Sequence, residues 1–264
     1  MEHVEVDGLR ISYERAGTGP PLILLHGYVG DGPTTWRPQL EGLSDEFTVI
    51  AWDAPGAGGS DDPPEDFGMA GYADCLAGFV DALGIEKAHV AGLSFGGALA
   101  LALQGRHPSM PLSLVLASAY AGWRGSLSAE ESARRLTQAM ALSALPPDTF
   151  VSTLLPTMFS EETGREVIER FGASMRTFHP AGFRAMARAA SEDLRDVLPG
   201  IAVPVLLVCG ADDNRAPRAV AEDLHASIPA STLTVVPACG HLVTLEAPAE
   251  FNEAVRRFLH AVGA

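Results

Sequence analysis

The sequence predicts an α/β protein built on a doubly wound, mostly parallel eight-stranded sheet, with a helical segment inserted after the sixth strand. Three observations carry this. Short, continuously apolar runs alternate with amphipathic stretches along most of the chain. Each run is bounded by Gly, Pro or Asp, as suits parallel strands covered on both faces. A single interval of roughly 85 residues, between Ala117 and Val203, breaks the rhythm with helical patterns alone, and a structureless loop of that length would be abnormal.

The chain opens with alternating apolar and polar residues on either side of Asp7-Gly8, a hairpin signal. The apolar runs follow: Leu22–Leu25, Phe47–Trp52, Ala88–Leu93, Leu112–Ala117, Val203–Cys209 and Thr232–Val236. Between them Met69–Leu83, Phe95–Arg106 and Ala219–Ser227 have helical spacing, and strand–helix alternation means a doubly wound sheet. The interval after Ala117 carries helical patterns at Ala129–Leu142 and Glu161–Phe171, broken by Pro146-Pro147, Pro156 and Pro180. Past the last strand, Pro248 suits the first turn of a helix whose buried stripe is Phe251, Val255, Phe258 and Leu259. The run Asp61 to Asp66 reads as a solvated acidic loop.

With 264 residues and 47% apolar composition, the chain can bury a full core. Its 18 Lys+Arg against 33 Asp+Glu give a net charge of −15. That sign disfavours nucleic acid and anionic membrane surfaces as partners. Three cysteines, Cys75, Cys209 and Cys239, form no CxxC pair, so a disulfide framework or zinc knuckle is not expected. The polar, acidic start lacks a signal-peptide pattern, and no apolar run approaches the length of a membrane helix. A cytoplasmic monomer or homodimer acting on a small molecule is the expectation.

Gly92-Leu93-Ser94-Phe95-Gly96 follows one predicted strand and opens one predicted helix. At such a turn a serine takes a strained conformation that pushes its hydroxyl into the open, and small neighbours let strand and helix approach. A serine hydroxyl needs a base. Of eight histidines, His241 lies on a loop at the carboxyl edge of the sheet, where open α/β sheets bind ligands. His3, His225 and His260 read as surface residues, His107 ends a helix, His89 starts a strand and His179 lies in the insertion. An orienting carboxylate is available after the strand Val203–Cys209, at Asp212 or Asp213. The order Ser, Asp, His is one of three known for serine triads.

These motifs together resemble the α/β-hydrolase family, in its small, lidded form. Leu24-Leu25-His26-Gly27, Trp52 through Ser60, Gly92–Gly96, Gly210–Pro217, and Gly240-His241 with Glu246-Ala247-Pro248 run in the family's order over nearly the whole chain. The resemblance implies a core of residues 1–119 and 197–264 and a helical lid of residues 120–196. It selects Asp213, three after Gly210 and four before Pro217, as the acid. It implies an oxyanion hole made by the backbone N–H groups of Phe95 and Tyr28, with His26 a structural loop histidine. Pro55 stands where the family commonly has arginine, and an extra residue follows; a structural turn is expected there.

The implied mechanism is acyl transfer: His241 deprotonates Ser94, and Asp213 holds His241 in the correct tautomer. No metal and no organic cofactor is called for. Serine at the elbow argues against haloalkane dehalogenase and epoxide hydrolase chemistry, for which relatives use aspartate. Gly27, Trp123, Met158, Phe159 and Leu242 are candidate substrate contacts. The insertion from Glu161 to Asp196 also resembles the cap of 3-oxoadipate enol-lactonase-like hydrolases, whose anionic substrate needs a cation; Arg124, Arg134, Arg135, Arg176, Arg184 and Arg188 are available. The preferred expectation is hydrolysis of small, fairly apolar carboxylic esters. Enol-lactone or carbon–carbon bond hydrolysis is the alternative, and a small-molecule receptor or lyase on the same fold is the alternative of another class.

Overall fold

The computed structural model describes residues 1–263. Strands β1 (Glu2–Val6) and β2 (Leu9–Ala16) form the expected hairpin, with Val6 facing Leu9. Its two turn residues both have positive φ, Asp7 at 48° and Gly8 at 82°, the turn whose twist matches paired strands. β3 (Pro21–Leu25) leads into short helices α1 (Gly32–Thr35) and α2 (Arg37–Gly42). Next come β4 (Thr48–Trp52), α3 (Gly68–Ala82), β5 (Ala88–Leu93), α4 (Phe95–Arg106) and β6 (Pro111–Ala117). Five helices separate β6 from the next strand: α5 (Trp123–Ser126), α6 (Ala129–Leu142), α7 (Pro147–Leu154), α8 (Arg165–Met175) and α9 (Pro180–Ala190). The chain closes with β7 (Val205–Gly210), α10 (Arg218–Ser227), β8 (Ser231–Val236), α11 (Val243–Glu246) and α12 (Pro248–Ala261).

The eight strands form one sheet in the order β1-β2-β4-β3-β5-β6-β7-β8. β2 alone runs against the others, pairing antiparallel with β1 and β4. The rest pair in parallel. β5 and β7 are buried at every residue, as strands covered on both faces must be. Helix α4 is buried over almost its whole length, and its run of Gly and Ala lets it lie close under the sheet. In α12 the stripe Phe251, Val255 and Leu259 is buried, with Phe258 half-buried beside it.

One expectation needs correction. The helical pattern placed at Glu161–Phe171 begins at Arg165 and runs to Met175. The residues before it are held in a turn because the Ser160 amide and Thr163 hydroxyl donate to the Glu246 carboxylate, each at 2.8 Å. The acidic loop is solvent-exposed, as expected, and it also makes surface contacts: Asp61 pairs with Arg10 and Glu65 with Arg184, and Asp62 lies 2.7 Å from the His179 ring. The insertion also touches the loop at backbone level: Gly56 and Gly182 lie so close that a Cβ on either would collide with the other.

Candidate active site

Ser94 sits between β5 and α4 with φ 55° and ψ −109°, a conformation that L residues avoid. Holding it there costs on the order of 1–3 kcal/mol, which the surrounding packing has to offset. That packing is tight enough to dictate residue type. A Cβ on Gly92 would lie 2.1 Å from the Gly96 carbonyl oxygen, and one on Gly96 would lie 2.1 Å from that of Leu25. The Ser94 amide donates to Ala117 O at 2.8 Å, fixing the turn against the end of β6.

His241, between β8 and α11, is buried, and its Nδ1 lies 2.8 Å from Asp213 Oδ2. An ionised carboxylate only accepts, so Nδ1 carries the proton and Nε2 is left for another partner. Asp213 Oδ1 accepts from the amides of Arg215 and Ala216, both at 2.8 Å. Burial pushes the Asp213 carboxyl up, but the charge and hydrogen bond of His241 and the two amides outweigh it and hold the pKa below the usual carboxylate value. Asp212 points elsewhere: its side chain is exposed, and its amide donates to Cys239 O at 2.9 Å.

Ser94 and His241 line one narrow crevice with Gly27, Tyr28, Met158 and Leu242. They make no direct hydrogen bond in this state, and the crevice leaves about 10 Å³, room for about one water molecule. Phe95 opens α4, so its amide has no acceptor within the helix. The orientation of Tyr28 follows from His26. That ring is buried; Nε2 accepts from the Ala54 amide at 2.9 Å, and Nδ1–H donates to Gly27 O at 2.5 Å. Burial pushes its pKa down, which keeps it neutral. With the Gly27 carbonyl turned to the ring, the trans peptide turns the Tyr28 N–H the other way. Asp53 similarly shapes the neighbouring loop, accepting from Gly32 N at 2.9 Å and Gly59 N at 2.8 Å. Its burial raises its pKa to about 6. The Trp52–Ser60 segment is thus a set of turns, and Pro55 contributes a carbonyl to the Tyr72 hydroxyl.

A second, wider cavity of about 400 Å³ adjoins the crevice and shares Tyr28 and His241 with it. Trp123 and Phe159 line this cavity; Gly27, Met158 and Leu242 line the crevice. Trp123 meets the Tyr28 ring edge-on, with centroids 5.8 Å apart. Two residues of the site, Arg215 and Glu246, escape sequence reasoning, and Arg135, one of the six available lid arginines, lies beside Arg215. Arg215 bridges the Tyr28 hydroxyl at 2.8 Å and the Thr157 hydroxyl at 2.9 Å. Arg135 donates to the Tyr120 hydroxyl and to Arg215 O, each at 2.9 Å. Glu246 accepts from the amides of Gly240 and Leu242, on either side of His241, as well as from Ser160 and Thr163 of the insertion. Glu246 stands in a motif quoted for the family, but nothing in the local pattern tells what it holds. Cys239 is buried, its thiol pushed up to about 12, so it is no nucleophile. Among the described residues no group of three or more His, Cys, Asp or Glu is placed to hold a metal, and no helix is long and apolar enough to cross a membrane.

Comparison with known proteins agrees with this architecture. The sequence profile described as "Alpha/beta hydrolase family" matches residues 22–254. A carbamate hydrolase RutD, assigned putatively in a Caulobacter species, is 30% identical, the match covering 98% of each chain. An esterase from Thermogutta terrifontis, solved with malate bound, superposes with a TM-score of 0.91 at 31% identity, covering 100% of both chains. The enol-lactonase from Burkholderia xenovorans gives 0.89 at 25% identity, covering 98% of this chain and 100% of that one. The chain belongs to the alpha/beta hydrolase family. It is an enzyme, and its class of reaction is hydrolysis.

Proposed function

We propose that this hydrolase cleaves small carboxylic esters through an acyl-enzyme on Ser94. His241 is the general base and then the acid, and Asp213 fixes its tautomer and stabilises its charged form. The amides of Phe95 and Tyr28 stabilise the oxyanion. Residues 120–196 serve as a lid over a core of residues 1–119 and 197–264. The observation that carries this reading is the 2.8 Å bond from His241 to buried Asp213, in the crevice whose wall includes Ser94 on its strained turn. A water entering where the alcohol left, and giving its proton to His241, releases the acid.

The enol-lactonase neighbour favours a lactone as a second substrate type, since a lactone is an internal ester open to the same attack. The test is fluorophosphonate labelling with a p-nitrophenyl acetate assay. Ser94 is expected to label and the ester to turn over, while Ser94→Ala lowers kcat by at least about 10⁴-fold and leaves the melting curve intact. A folded Ser94→Ala variant that retains most of the activity refutes the assignment. Labelling without turnover of any ester or lactone indicates a binding protein instead.

A further inference from the structure

We propose that the preferred substrate joins a short acyl group to an alcohol bearing a carboxylate, and that Arg215 recognises that carboxylate. This rests on the ester-hydrolase reading above and names its substrate class. The acyl carbon has to sit between Ser94 and the amides of Tyr28 and Phe95. There the crevice walls are Gly27, Val29, Leu93, Met158, Phe171 and Leu242, with no Asp, Glu, Lys or Arg among its lining residues, and the space is small. Only a short, apolar acyl group suits it. His241 gives its proton to the leaving oxygen, so the alcohol departs on the His241 side. His241 is shared by the crevice and the cavity of about 400 Å³, and of the two spaces it is the cavity that has room for the larger, alcohol portion.

That cavity differs in charge from the rest of the molecule. The protein carries a net −15, yet Arg134, Arg135 and Arg215 all line this space. Arg134 and Arg135 share the single carboxylate of Glu131. Arg215 is half-buried and forms no ion pair among the described residues; its two hydrogen bonds go to the hydroxyls of Tyr28 and Thr157. A guanidinium has five N–H donors in a planar fork that matches a carboxylate. Asp212, which is exposed, is the one acid lining the cavity, against three arginines. Arg215 reaches the hydroxyl end of Tyr28, whose backbone amide lies at the other end of the same residue, so a compact, rigid alcohol such as a hydroxybenzoate is the probe to use.

The experiment compares 4-acetoxybenzoate with its methyl ester, each kcat/KM being divided by the rate of hydroxide hydrolysis. The carboxylate substrate is expected to be favoured at least about tenfold at low salt, and raising ionic strength from about 0.05 M to about 0.5 M is expected to shrink that preference. Arg215→Gln is expected to cut the ratio about tenfold, and Arg215→Lys, which keeps the charge but not the fork, less. The ratio is the readout because a general loosening of Tyr28 slows both substrates alike. A wild-type ratio of one or below, or a ratio unchanged in folded Arg215→Gln, overturns the proposal. If Arg215→Gln does not fold, the wild-type preference and its salt dependence decide. Cleavage of the neutral ester without preference sinks this inference and spares the ester-hydrolase reading. No turnover of either ester, with Ser94 unlabelled, sinks both.

Discussion

Replacing Glu246 tests how far the position of His241 depends on a residue that does no chemistry. Its carboxylate takes four hydrogen bonds: Oε2 accepts from Ser160 N, Thr163 Oγ1 and Gly240 N at 2.8, 2.8 and 3.1 Å, and Oε1 from Leu242 N at 3.0 Å. Bonds to a charged acceptor are worth about 1.5–3 kcal/mol each when buried, but Glu246 is half-exposed and water replaces part of each. About 0.5–1 kcal/mol apiece gives about 3 kcal/mol for Glu246→Ala, or about 6–10 °C in Tm for a chain of this size. Glu246→Gln keeps one acceptor oxygen in the Oε2 position and loses chiefly the Leu242 bond, so about 1 kcal/mol is expected. Because two of the four bonds bracket His241, kcat is expected to fall about tenfold in the Ala variant and less in the Gln variant. Thermal melts and p-nitrophenyl acetate kinetics measured side by side decide the matter. Equal behaviour of Ala and Gln, or a lowered Tm with unchanged kcat, refutes the reasoning that Glu246 positions the histidine.

The two neighbouring aspartates separate cleanly. Asp213→Asn is expected to lower kcat about 10³–10⁴-fold by disturbing the His241 tautomer, whereas exposed Asp212→Asn changes it little; comparable losses in both would argue against the assignment of Asp213. Asp53 gives a pH prediction. Its folded pKa of about 6 lies above its ordinary value of 3.8, so its contribution to stability is fully present below about pH 4 and is lost as pH rises through 6. The stability of wild type relative to Asp53→Asn is therefore expected to fall by up to about 3 kcal/mol between pH 4 and pH 7, read from denaturant midpoints. A difference that grows with pH would contradict burial as the dominant cause.

Where local signals agree, the sequence marks elements to the residue. Helix α6 begins after Ser128, whose hydroxyl accepts from the Glu131 amide at 3.1 Å, and a serine followed three residues later by glutamate is a legible start. The strand Ala88–Leu93 and helix α4 are equally plain because glycines punctuate them. Helix α8 is displaced because its true start is set by Glu246, more than eighty residues further on, which no local pattern contains. The acidic loop is solvent-exposed as read, but its contacts with Arg10, His179 and Arg184 are not legible for the same reason: those partners lie on distant elements. In the site, the residues alone leave Asp212 and Asp213 open, and it is the resemblance to the family that selects Asp213 before any coordinates. Arg215 carries no such mark, because a guanidinium's partners, here Tyr28 and Thr157, are decided by tertiary packing alone.

The narrowness of the space beside Ser94 sets a condition on turnover. An ester is larger than one water molecule, so a substrate held against Ser94 has to lie mostly in the adjoining cavity of about 400 Å³. The segment around Met158, a wall of the crevice, is fastened by Ser160 and Thr163 to Glu246 and by Met158 O to the His241 amide at 3.2 Å, so this wall and the histidine share the same anchors. A substitution that loosens those anchors is therefore expected to disturb the wall and the His241 ring together, which ties the shape of the space to the position of the histidine.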